Sequence, residues 1–126
     1  MGEGRRPPFA TGELVDDYEP LFRYWEAARA RGRQDLVERA TLSEEDFEFV
    51  RRFVRSSMSM TLLELVDALK VRFRERVDPS IASEALGMDA ETAVEVLSSL
   101  LAGWLVEAAE EFKLLGLRFR YRIPKS

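Results

Sequence analysis

The 126-residue chain has no cysteine, no histidine and no asparagine, and Gln34 is its one glutamine. Without thiols there is no disulfide, no thiolate metal site and no cysteine nucleophile. Without imidazole, the commonest metal ligand, the usual general base and the side chain that titrates near neutrality are missing. The sequence also lacks a Gly-rich phosphate loop, a nucleophile elbow and any metal-ligand spacing. Its carboxylate runs, Asp16-Asp17, Glu44-Glu45-Asp46 and Glu110-Glu111, fall at expected helix starts or at a hairpin tip, where solvated acids belong. The expectation is a protein with no catalysis, no cofactor and no metal.

Two further absences concern location. No apolar run approaches the roughly 20 residues that span a bilayer, which excludes an integral membrane protein on this reading. The N-terminal stretch Met1 to Pro8 is polar and has no apolar core behind it, unlike a secretory leader. A cytoplasmic protein is expected. Arginine outnumbers lysine by 16 to 3. Together with the scarcity of thermolabile amides, this fits a thermophile, and it fits a GC-rich genome equally well. With a net charge of −4, the whole protein is not a polycation drawn to nucleic acid.

What is present is ample apolar material for a core, 46% of residues, arranged at helical spacing. Residues 1–12, rich in Gly and Pro, read as a flexible lead-in, residues 13–57 as an N-terminal helical region for packing or dimerisation, and residues 58–126 as a second unit. In the first helix Leu21, Phe22, Trp25 and Ala28 share a face, and Gly32 ends it. A short helix is expected from Gln34 to Ala40. Ser43 then caps a helix whose first turn is acidic and whose apolar face is Phe47, Val50, Phe53 and Val54. Thr61 and Glu64 form a second capping box, opening a helix that buries Leu62, Leu65, Val66, Leu69 and Phe73. Asp78-Pro79 starts a short helix ending at Leu86-Gly87, and Asp89 caps a long one. After Gly103 the pattern turns to alternation: Leu117, Phe119, Tyr121 and Ile123 interleave with Arg118, Arg120 and Arg122, with Trp104 to Ala108 as the expected hairpin partner.

This order of helix, short helix, tight turn, long helix and β-hairpin resembles a winged helix-turn-helix over residues of about 61–123. The stretch Ile81-Ala82-Ser83-Glu84-Ala85-Leu86-Gly87-Met88 looks like the second helix and turn, and Asp89 to Val106 like the third helix and first wing strand. The fold expected is mainly α with a small β-hairpin wing, N-terminal helices preceding the winged unit. Resemblance to MarR/ArsR-like transcription regulators implies a homodimer that binds duplex DNA.

The residues of the third helix do not suit that role. Its outward positions would be Ala90, Glu91, Val94, Glu95 and Ser98, with none of the Arg, Lys, Asn or Gln that dominate base recognition. From Asp78 to Glu111 there are eight acids and no Lys or Arg, which phosphates would repel. Residues 112–126 instead carry Lys113, Arg118, Arg120, Arg122 and Lys125 with no acid. Those cations would meet duplex DNA or an acidic partner, or else solvate a sheet face and pair with Glu107, Glu110 and Glu111. Glu91, Val94, Glu95, Leu101 and Trp104 form an apolar strip rimmed by carboxylates that would dock a protein partner. The alternative is that the N-terminal helices cover it with Trp25 or Phe22. The functional expectation is an adaptor or subunit of a DNA- or transcription-related assembly, with a DNA-binding regulator second.

Overall fold

The computed structural model describes residues 5–56 and 61–111, and all the regular secondary structure within them is helical. The helices are α1 (Glu19–Ala30), α2 (Gln34–Arg39), α3 (Glu44–Arg55), α4 (Leu62–Arg74), α5 (Pro79–Leu86) and α6 (Ala90–Glu111). Local chemistry sets most of the boundaries. Pro20 lies in the first turn of α1, where an amide donor is not needed. Ser43 accepts from the Asp46 amide while the Asp46 carboxylate accepts from the Ser43 amide, and Thr61 and Glu64 repeat that exchange at α4. Asp78 accepts from the Ile81 amide to open α5. Gly87 closes α5 at a φ of 65°, a left-handed conformation that suits glycine. Asp89 opens α6 by accepting from the amide and hydroxyl of Thr92.

α6 is the axis of the molecule, with α1, α3, α4 and α5 all packed on it. Ala93, Leu97, Leu101 and Leu105 of α6 are fully buried, and they meet a core built from Leu21, Tyr24 and Ala28 of α1 and Leu69 and Phe73 of α4. Ile81 and Ala82 supply the α5 side. By length and composition α6 would also reach across a bilayer, a property that a search for uninterrupted apolar runs misses. Most of its apolar stretch is buried inside the protein.

The expected β-hairpin wing is overturned. Trp104 to Ala108, read as the first wing strand, form one and a half turns of α6, and no strand occurs among the described residues. The second expected strand, Leu117 to Ile123, lies outside them. Gly103 does not stop α6 because its φ is not positive. Its missing side chain serves another purpose: a Cβ there would come within 2.5 Å of Val15 Cγ2. Leu105, Glu107, Ala108 and Ala109 are good helix formers and carry the helix onward. Nor is there the alternation of a half-exposed strand, since every residue from Leu101 to Ala109 is buried. Residues ahead of α1 cover what the other helices leave open, with Ala10, Leu14 and Val15 packed on the core.

Candidate interaction surfaces

The chain ahead of α1 is seated on α6 by one acid. Glu107 is 2% exposed and its carboxylate accepts five hydrogen bonds. Oε1 takes the amides of Thr11 (2.9 Å) and Gly12 (3.3 Å) and the Tyr18 hydroxyl (2.7 Å). Oε2 takes the amides of Leu14 and Val15, the latter at 3.0 Å. A buried charge is tolerable when this many donors converge on it. Burial, the Glu107 charge and the hydrogen bond to it push the Tyr18 phenol far above its ordinary range. Trp104 adds a second anchor, its indole N–H donating to the Pro8 carbonyl at 2.7 Å. At the start of this segment Arg5 pairs with Glu19 and Glu26 and lies over the Phe22 ring.

A second buried acid ties α3 to α4. Asp46, fully buried, combines its capping role with bonds from Arg72 Nε (2.8 Å) and both terminal nitrogens of Arg76. Burial alone would raise its pKa. Hydrogen bonds from Arg76, the Ser43 amide and Arg72 outweigh that and hold the carboxyl below its usual range. The two guanidiniums also lie over aromatic rings, Arg72 on Phe49 and Arg76 on Phe73.

The residues expected to bind a partner are divided by the fold. Glu91, Val94 and Glu95 line one hollow of about 640 Å³ between the start of α6 and the end of α4, together with Arg74, Pro79 and Val96. Glu91 is exposed, whereas Val94 is 9% exposed at the base. Glu95 accepts from Lys70 Nζ (2.6 Å) and Arg74 Nη2 (2.9 Å), and these contacts, Lys70 first, lower its pKa. Leu101 and Trp104 lie elsewhere, inside the core at 0% and 5% exposure. Trp104 packs edge-on against Trp25, which in turn meets Phe22, so the chain's own aromatic residues cover that part of the strip. Lys113, Arg118, Arg120 and Arg122 lie outside the described residues.

On the sequence alone Glu107 falls in the expected first wing strand, as a pairing partner for the wing arginines across the hairpin. Its position within the otherwise apolar run Trp104-Leu105-Val106-Glu107-Ala108-Ala109 was the available signal that it is buried with a dedicated partner set. Among the described residues no group of three or more acids converges as a metal ion would require. No protein-family model, no curated protein and no solved structure matches this chain.

Proposed function

We propose that this protein is a non-catalytic docking module that holds a protein partner in the groove between α4 and the start of α6. What carries the reading is that Glu91, Val94 and Glu95 open on the same hollow. Glu95 is largely neutralised by Lys70 and Arg74, so Glu91 supplies the charge that would attract a basic side chain, with Val94 and Val96 as an apolar base. An interface of this kind, an apolar centre with a polar rim, suits reversible association. Membership of a DNA- or transcription-related assembly rests on the order of α4, α5 and α6 alone.

The test places a photo-crosslinking residue at position 90, which lines the same hollow and leaves Glu91 in place, and, as control, at the exposed Glu38 of α2. A discrete adduct from position 90 that Glu91→Arg abolishes, with unchanged thermal stability, is expected. Equal adducts from both positions would refute the reading. Anisotropy with labelled random duplex DNA discriminates the regulator alternative. Binding tighter than about 10 μM that weakens steeply with salt would mean that phosphate contacts dominate instead.

A further inference from the structure

A second hollow, independent of the docking groove, carries a more specific chemistry. It has a volume of about 540 Å³ and lies where the end of α2 meets α3 and the last two turns of α4. Its polar wall is Arg39, Arg72 and Arg76, and its apolar wall is Phe49 and Val71. Val71 is 59% exposed, the most exposed of the large apolar side chains among the described residues. The volume falls in the range of small-molecule sites, which pair apolar walls with a few placed polar groups.

The charges facing this hollow sum to a small positive value. Three guanidiniums stand against the Glu75 carboxylate in the wall and the Asp46 carboxylate behind it, leaving one net positive charge in a chain whose total is −4. The carbonyls at the end of α4 oppose an anion as well, but Arg39 Nη2 already donates to the Glu75 carbonyl at 3.3 Å. Asp46 fixes the cations without using all of their donors. Arg72 gives it only Nε, and neither Arg72 terminal nitrogen donates to another described residue. Arg39 retains Nε and Nη1 in the same way. Phe49 lies against the Arg72 guanidinium, with Cζ 4.6 Å from the ring centroid, which restricts its orientation. A planar, pre-oriented guanidinium with a free edge is suited to a carboxylate.

We propose that this hollow binds a small organic monocarboxylate, its carboxylate on Arg72 and Arg39 and its apolar body against Phe49 and Val71. One net positive charge matches a monoanion, and the apolar wall gives no reason to prefer an inorganic ion.

The experiment is an NMR titration of the full chain, reading the arginine Nε–H and the Phe49 and Val71 side-chain resonances. The probes are 4-phenylbutyrate, its neutral amide 4-phenylbutyramide, and inorganic phosphate. A saturable shift of Arg72, Phe49 and Val71 with the carboxylate is expected, at least tenfold weaker with the amide and with phosphate. Arg39→Gln and Val71→Glu, both at exposed positions, should each weaken phenylbutyrate at least tenfold while the rest of the spectrum is preserved. Equal binding of acid and amide would reduce the site to a greasy surface, and equal binding of phosphate would reduce it to a cation cluster. No shift at about 10 mM probe would overturn the proposal, as would Arg39→Gln binding like the parent.

Discussion

The Tyr18 hydroxyl donates to Glu107 Oε1 at 2.7 Å, joining two buried groups 89 positions apart in sequence. The same carboxylate accepts from four backbone amides between Thr11 and Val15. All five donors point at two oxygens, so the entry of the chain into α1 depends on a charge near the C-terminal end of α6. Glu107→Gln keeps the shape but exchanges one acceptor for a donor that faces amide donors. The expected cost is about 3 kcal/mol, the order seen when a buried charged acceptor is lost. Tyr18→Phe removes one donor and should cost about 1–2 kcal/mol. Urea unfolding gives both values, and hydrogen exchange should show Thr11 to Val15 losing protection in the Gln variant. Retained protection there would mean that Trp104 and packing hold the segment without Glu107.

The helix limits were legible because each is written in a few adjacent residues. Ser43 with Asp46, Thr61 with Glu64, Asp78-Pro79 and Gly87 act over one turn, and each does so as the sequence implies. The far end of α6 was illegible for the opposite reason. Gly103 satisfies a local rule for a helix stop, yet its role is set by Val15, which arrives from 88 positions earlier. Likewise Trp104 and Leu101 read as an exposed apolar strip until Trp25 and the Pro8 carbonyl are placed against them. In the candidate groove, Glu91 and Glu95 were legible as one helix face, but the Lys70 and Arg74 contacts that neutralise Glu95 come from α4.

The Gly103–Val15 contact makes an unusual helix prediction. Gly→Ala inside a helix ordinarily stabilises by about 1 kcal/mol. Here the added methyl would meet the Val15 methyl at 2.5 Å, and a β-branched side chain cannot swing aside easily. Gly103→Ala should therefore destabilise by about 1 kcal/mol net, overpacking outweighing propensity. Adding Gly103→Ala to Val15→Ala should instead raise stability above that of Val15→Ala alone. A double-mutant cycle by thermal melts measures the coupling, and additive effects would show that the two residues do not oppose each other.

Glu110 predicts a change of opposite sign to Glu107. Its Oε1 is buried without a hydrogen-bond partner, and burial, with the nearby Glu13 charge, raises its pKa. A carboxyl whose folded pKa is raised is favoured when protonated, so the penalty for its charge is absent at low pH and grows as pH rises through the folded value. Glu110→Gln should accordingly stabilise the protein at neutral pH and have no effect below the ordinary glutamate range. Melting temperatures of both proteins across the acid range test this. A destabilised variant at pH 7 would mean that the charge is satisfied in solution.

Asp46 contributes to the acid limb of stability through its buried ion pairs. Its folded pKa is depressed once the bonds from Arg76, Ser43 and Arg72 overcome burial. The stabilisation is therefore present above the unfolded value, about 3.9, and is lost as pH falls from there through the folded value. Asp46→Asn leaves Arg72 and Arg76 without their counter-charge in a site where the carboxylate is fully buried. At pH 7 this should cost about 3 kcal/mol, in line with breaking one partner of a buried pair. Denaturant titrations of parent and variant should converge on acidification, because protonating Asp46 in the parent removes the same charge. A gap that stays constant from neutral pH to about pH 2, below the ordinary carboxylate range, would show that the side chain acts through shape and capping, and not through its charge.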